Sequence, residues 1–223
     1  MNRYAPELAL IVGGVLGASF GGFVLFVLGE FYSAAVVCAV CSYPFAAYAI
    51  HTDDEPSTVL PPKAVTVTAG IAAAGVLADS IRQFGSTVEA ALLGSLLAVG
   101  VFLPAAAYAG HYGEPPSWVR PRLLEGGCVL LAGLLLAGSL LTGAAAGAVS
   151  AVVVFVAGVV YGTRSTTHNR PRRRRWFPLA GLTVAGGLLA VGVLTGGPLD
   201  RWVTAGLAAV FGPLIAAAIT TPT

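Results

Sequence analysis

One stretch without any charged side chain, residues 126–163, most constrains what this chain can fold into. As a single helix it would be about 57 Å long, far more than the hydrocarbon core of a bilayer can hold. The stretch must therefore fold back on itself, and Thr142-Gly143 offers the turn. A charge-free segment of this length indicates that lipid, rather than water, is the surrounding solvent.

The composition of the whole chain supports the same conclusion. Of the 223 residues, 57% are hydrophobic and 10% are charged, and the mean hydropathy is +0.85. Soluble domains carry about 25% charged residues, so these charges are too few to cover a water-exposed surface. The sequence predicts an all-α, polytopic integral membrane protein of the cell (plasma) membrane, with residues 1–223 as a single transmembrane domain.

Eight segments are apolar over the length that a membrane helix needs, about 20 residues. They are residues 6–28, 32–50, 62–84, 86–110, 121–142, 144–162, 177–196 and 201–220. Further turns are predicted at Gly85-Ser86 and at residues 196–198, which are rich in glycine and proline. A predicted capping box, with Ser86 at the N-cap and Glu89 at N3, begins the fourth span.

The distribution of positive charge predicts the orientation, because cytoplasmic loops carry an excess of Lys and Arg. Six arginines lie within residues 163–176, which places this loop inside the cell. With eight spans, ten of the twelve Lys and Arg residues then lie inside, and only Arg82 and Arg201 lie outside. Both termini are therefore predicted to be cytoplasmic.

The basic loop is also predicted to contact the anionic headgroups of the inner leaflet, which attract Lys and Arg near the surface. The arginines concerned are Arg170, Arg172, Arg173, Arg174 and Arg175. No nucleic acid is expected as a partner, because one short basic run without an accompanying binding fold is weak evidence for it.

Two markers recur with a period near 57 residues. The odd-numbered spans open at Pro6, Pro62, Pro121 and Pro178, at intervals of 56, 59 and 57 residues. Among the even-numbered spans, residues 44–51 and 104–111 share the spacing of proline, tyrosine and histidine. Together they predict four tandem helical hairpins as parallel repeats, approximately residues 1–56, 57–116, 117–171 and 172–223. The alternative is chance resemblance among alanine-rich helices.

Charged and aromatic positions suggest a path for a solute. Asp79 and Arg82 lie three residues apart on the third span, hence on one face, and Glu89 begins the next span. These groups would form an outer gate; alternatively, they form a local ion pair at the interface. At the inner side, prolines inside the even spans would open a mouth lined by Tyr48, Tyr108 and Tyr161, which otherwise form an aromatic belt.

A second polar group lies just beyond the inner ends of the second and fourth spans. It comprises His51, Asp53, Asp54, Glu55, His111 and Glu114. Imidazole with carboxylate suits zinc or manganese, but the spacing matches no established ligand pattern, and solvated loop residues are the simpler interpretation. Cys38 and Cys41 form a C-x-x-C in mid-span, where small apolar filling is favoured over thiol chemistry. We predict no catalytic residue, no metal ligand and no cofactor.

Three functions compete on this evidence. The first is a small-solute transporter or permease for a neutral or apolar solute, since mid-span charge is nearly absent. The second is a non-catalytic scaffold or subunit that binds a membrane-protein partner or a second copy of itself through faces rich in Gly and Ala. The third, and weakest, is an intramembrane enzyme that uses a metal or the cysteine pair.

Overall fold

The computed structural model describes residues 4–53, 55–85, 87–113, 121–164 and 171–219. For residues 121–122, 162–164 and 171–178 it describes the backbone but not the side chains. Helices and turns account for all of this described part, without any strand. The helices are α1 (Ala5–Leu28), α2 (Phe31–Thr52), α3 (Pro56–Val59), α4 (Pro62–Phe84), α5 (Val88–Tyr112), α6 (Pro121–Thr142), α7 (Ala145–Arg164), α8 (Pro171–Thr195) and α9 (Leu199–Ile219). The predicted all-α class is confirmed.

Six helices of the described chain, α1, α2, α4, α5, α6 and α9, are long and apolar enough to cross a membrane. The described apolar parts of the other two long helices, Ala145–Tyr161 in α7 and Leu179–Thr195 in α8, are shorter. Large apolar side chains on the long helices are widely exposed; Phe26 and Leu194, for example, are 92% and 86% exposed. Such surfaces are suited to lipid, so the helices are those of a membrane-embedded protein.

The chain divides into two compact units, Met1–Glu114 (unit 1) and Pro115–Thr223 (unit 2). Each unit contains four long helices, and unit 1 also contains the short helix α3. The division falls close to the boundary predicted between the second and third hairpins.

In unit 1, α1 packs antiparallel on α2, and α4 packs antiparallel on α5. On α1 the contact is made by the glycine ladder Gly13, Gly17 and Gly21, all buried against α2. A Cβ built on Gly17 or on Gly21 would lie 2.9 Å from a backbone carbonyl oxygen of α2. Because association in lipid depends on close packing rather than on the hydrophobic effect, these glycines allow the two backbones to approach.

In unit 2, α6 packs antiparallel on α7 and α8 on α9, and α9 also contacts α6 and α7. Glycine again allows the paired helices to approach closely: Gly158 faces Cys128, and Gly192 faces the ring of Trp202. Gly181 on α8 lies against the part of α9 where Pro213 interrupts the backbone bonding, and its Cβ would be 2.5 Å from the carbonyl oxygen of Ala209. This is the carbonyl that Pro213, four residues later, leaves without its usual donor.

The short turns between paired helices lie where the sequence places them. Gly29, Gly85, Gly143 and Gly196 have φ values of 69°, 87°, 80° and 64°, a region that glycine adopts without strain. We call the end of each unit that carries these turns its turn end, and the opposite end its loop end.

Two predicted helix starts differ from the structure. The N-cap of α5 is Thr87, whose hydroxyl accepts a bond of 3.2 Å from the Ala90 N–H, so Glu89 occupies N2 and cannot complete a capping box from N3. Helix α8 begins at Pro171, so Pro178 lies inside this helix instead of opening it. The fourth member of the proline series therefore lacks the first-turn position of the others.

The two faces of α1 predict a clear difference in stability. Gly17→Ala and Gly21→Ala should lower the free energy of unfolding by about 1–3 kcal/mol, because a methyl group meets backbone that cannot move aside. Gly14→Ala and Gly22→Ala, with no atom within 4 Å of the new Cβ, should cost less than about 0.5 kcal/mol. Thermal unfolding of the detergent-solubilised protein measures both; equal losses on the two faces would contradict the packing.

Helix α8 allows the same comparison in unit 2. Gly181→Ala should lower the thermal midpoint because its Cβ meets the Ala209 carbonyl and the Pro213 ring, with a cost of about 1–3 kcal/mol. Gly186→Ala and Gly187→Ala on the same helix add a methyl group in open space. A midpoint for Gly181→Ala no lower than that of the two controls would show that α8 does not pack on α9 in this register.

Candidate functional site

Asp79 is the most deeply buried charged residue among those described, with 7% of its surface exposed. One carboxylate oxygen, Oδ1, accepts bonds from Arg82 Nη2 at 2.8 Å and from Nε at 3.1 Å. The other, Oδ2, accepts a bond of 3.0 Å from the backbone N–H of Tyr32. Asp79 therefore links α4 to a helix that lies 47 residues earlier in the chain.

The bond from Tyr32 to Asp79 caps the N-terminus of α2. Tyr32 is the second residue of that helix, so its N–H has no partner within the helix. The N-cap residue Glu30 makes no capping bond with its side chain; its carboxylate accepts from Ser33 Oγ at 2.7 Å. The Asp79 carboxylate supplies the acceptor instead, and its negative charge matches the positive end of the helix dipole.

The remaining predicted gate residues lie at the turn end of unit 1. The side chain of Arg82 is 70% exposed, against 8% for Asp79, so the pair is buried on one side only. Beside it the rings of Tyr32 and Phe84 pack with centroids 5.4 Å apart. Glu89 lies exposed in the first turn of α5, where a carboxylate suits the helix dipole. This geometry is that of an ion pair at the turn end whose carboxylate also caps α2; a gating role for the three residues stays a prediction.

The tyrosines predicted to line an inner mouth have different environments. Tyr108 is 7% exposed, and its hydroxyl lies 2.6 Å from the carbonyl oxygen of Leu60 and 3.0 Å from that of Pro56. It thus holds the segment around α3, which connects α2 to α4. Tyr48, at the corresponding place in the predicted repeat, is 53% exposed, and Tyr161, in unit 2, is half-buried.

A further tyrosine, which the sequence pattern did not single out, joins α2 to α5. The hydroxyl of Tyr43 donates a hydrogen bond to the carbonyl oxygen of Val101. Tyr43 directly precedes Pro44 in α2. Its acceptor, Val101, follows Gly100, whose carbonyl has no helical donor because residue 104 is a proline without an N–H. A hydroxyl next to a proline in an apolar helix was the available signal, because such groups re-satisfy the backbone near a kink.

The predicted inner polar cluster is partly described. His51 and Glu55 are exposed, and the half-buried Asp53 accepts a bond of 3.2 Å from the Glu55 N–H, as in an ordinary turn. His111 packs edge-on against Tyr112, with ring centroids 4.6 Å apart. The other two members, Asp54 and Glu114, lie outside the described residues. Within the described part, no three His, Cys, Asp or Glu side chains gather as a metal would require.

The cysteines of the C-x-x-C pair are both half-buried and free. The Cys38 sulfur lies 3.2 Å from the Cβ position of Gly17, and the Cys38 backbone lies beside the same glycine, so this cysteine fills the α1–α2 contact. That placement favours the packing interpretation over redox chemistry.

The basic loop is only partly within the described region. Arg172, Arg173, Arg174 and Arg175 occupy the first turns of α8, and their side chains fall outside the description, as does Arg170 altogether. The contact with anionic lipid headgroups therefore stays a prediction.

Unit 2 has its own charged contact at the turn end. Arg201, in the first turn of α9, donates a bond of 3.1 Å from Nη1 to the carbonyl oxygen of Leu141, next to the last residue of α6. Its Nε lies 2.8 Å from the position of a Cβ on Gly143. A cation here complements the negative end of the α6 dipole and pairs with a carbonyl that the helix leaves open.

This contact predicts a stability series at one position. Arg201→Lys keeps the charge and should lose little; Arg201→Gln should cost roughly 1 kcal/mol; Arg201→Glu should cost more, because a carboxylate repels the carbonyl end of α6. Thermal unfolding in detergent gives the order. A Glu variant as stable as the Lys variant would rule out a charge interaction with this helix end.

Comparison with models of known protein families, with characterised proteins and with solved structures gives no match. The site is therefore interpreted from its own geometry.

Proposed function

We propose that the chain crosses the membrane eight times, with both termini in the cytoplasm. The six helices of full length and apolarity support this, together with the pairing of α7 with α6 and of α8 with α9. The placement of ten of the twelve Lys and Arg residues on one side supports the orientation. In this proposal the four antiparallel helix pairs are parallel repeats of one hairpin, and the plasma membrane is their location.

We propose further that the protein provides a path for a small neutral or apolar solute. The observation that carries this is the position of charge: every described Asp, Glu, Lys and Arg lies in a loop or within roughly two turns of a helix end. Ion-coupled transporters place ionisable groups within their spans, where these form relays and ion sites. Walls free of such groups suit a solute that moves down its own gradient.

The organisation of the chain is consistent with this role. Two units with four long helices each are present in one chain. Transporter folds are commonly built from internal repeats, and some carry parallel repeats of the kind proposed here.

One observation favours a non-catalytic scaffold or membrane-complex subunit as a second candidate. Asp79, Arg82 and Tyr108, which were assigned to a solute path, are all engaged in bonds within the protein. Polar groups committed in this way stabilise a fold whether or not anything passes through it. A scaffold would bind a membrane-protein partner or a second copy of the chain.

Reconstituted vesicles distinguish the two candidates. With glycerol and urea as neutral probes, transport predicts that swelling after an osmotic step is at least about tenfold faster than in protein-free vesicles, with no change in potassium leak. Light scattering in a stopped-flow instrument measures the rate. Denatured protein reconstituted at the same ratio is the control, and the residue to vary is Tyr48, whose exposed side chain permits Tyr48→Phe with little risk to folding.

Swelling equal to that of protein-free vesicles for both probes, from a protein that remains folded, would argue against this transport proposal and favour the scaffold. A stoichiometric partner in a mild-detergent purification would then be the expected finding.

A further inference from the structure

Three polar links connect the first helix pair of unit 1, α1 and α2, to the second pair, α4 and α5, or to the segment between the pairs. Asp79 on α4 binds the N–H of Tyr32 on α2 at the turn end. Tyr43 on α2 binds the carbonyl of Val101 on α5. Tyr108 on α5 binds the connecting segment at Leu60 and Pro56, at the loop end.

The three links lie at different depths along the helices. Tyr32 and Tyr43 are eleven residues apart on α2, which corresponds to about 17 Å of helix. Val101 and Tyr108 are seven residues apart on α5, or about 10 Å. The unit therefore has one cross-link near each end and one close to the middle.

The middle link joins the two points where the helices are weakest. Pro44 removes a backbone hydrogen bond from α2 immediately after Tyr43, and Pro104 removes one from α5 next to Val101. A helix that lacks one of its bonds bends more easily there, and bends in membrane helices concentrate at such positions. The end links, by contrast, join regular helix ends or a loop.

We propose that this arrangement is a rocking device, in which Tyr43–Val101 is the pivot, Asp79 is the turn-end latch and Tyr108 is the loop-end latch. Release of the Asp79 bond frees the two helix pairs directly at the turn end, whereas release of the Tyr108 bonds frees them at the loop end through the segment that follows α2. Opening at one end brings the pairs closer at the other. The device deepens the proposed transport function, on which its purpose rests, because alternate opening of two ends is how a membrane path is exposed to one side at a time.

Cysteine labelling in detergent tests the device without reference to flux. The background replaces Cys38, Cys41 and Cys128 with Ala, and one new cysteine replaces either Val76, three residues before Asp79 on α4, or Ala105, which lies between Val101 and Tyr108 on one face of α5. Both positions are buried in the native fold, 0% and 7% exposed, so reaction with a maleimide reports opening beside the corresponding latch.

Asp79→Ala should speed labelling at Val76→Cys by at least about tenfold, since a buried charge-assisted bond is lost, and should slow labelling at Ala105→Cys. Tyr108→Phe should produce the reverse pattern. With Tyr43→Phe added, Asp79→Ala should no longer affect the distant cysteine, because the pivot that transmits the motion is gone.

Two matched variants serve as controls. Gln83→Ala shortens an exposed side chain on the same helix and leaves the bonds of Asp79 to Arg82 and Tyr32 in place. Tyr48→Phe removes an exposed tyrosine hydroxyl at the place corresponding to Tyr108. Both should leave the two labelling rates within about twofold of the parent.

Opposite changes at the two ends support the device. Labelling that rises together at both cysteines in the latch variants would mean that the links merely stabilise the fold, and unchanged labelling would mean that they do not hold the ends closed; either result overturns the proposal. Because swelling and labelling are separate measurements, failure of the rocking device and failure of transport are distinguishable.

Discussion

Backbone N–H and C=O groups that a helix cannot satisfy are costly in lipid, and the cross-helix contacts of this protein meet that requirement. Helix ends leave such groups, and internal prolines create more. Asp79 accepts a hydrogen bond from an N–H at the start of α2, and Arg201 donates one to a carbonyl at the end of α6. Tyr43 donates to Val101, next to the Gly100 carbonyl that Pro104 leaves without its helical donor. Among the described residues, no buried side-chain nitrogen or oxygen lacks a partner. In the described part, each buried polar side chain is thus bonded, and several of these bonds go to backbone groups.

The same constraint explains why packing depends on glycine. Side chains gain little by leaving lipid for a helix interface, so close backbone approach and van der Waals contact provide the attraction. Gly17 and Gly21 bring α1 against α2, and Gly181 brings α8 against α9 at its proline. Polar links alone would not fix these registers, because each bonds only one or two groups. Glycine contacts set the helix pairs, and polar contacts then join one pair to the next.

Much of the fold could be predicted because the signals for it are local. A charge-free run of known length fixes where a turn must fall, and the turns at Gly85, Gly143 and Gly196 lie where expected. Errors arose where two local signals competed: Thr87 rather than Ser86 caps α5. The site was harder, because its bonds join residues far apart in the chain. Asp79 and Arg82 could be paired by helical spacing, but no local pattern relates Asp79 to Tyr32.

In both units a charged side chain caps a helix end at the turn of the first helix pair, but the two side chains have opposite charges. In each unit, a charged residue from the second helix pair reaches the turn of the first pair: Asp79 in unit 1 and Arg201 in unit 2. Asp79 meets the N-terminus of the later helix at its turn, which favours an anion, and Arg201 meets the C-terminus of the earlier helix at its turn, which favours a cation. If the pairs descend from one hairpin, sequence comparison between the units would miss this equivalence, because the residues that perform the same task differ in charge and occupy different helices. Repeats of this kind should therefore be compared by which helix end is capped, since the physical requirement persists when the side chain that satisfies it has changed.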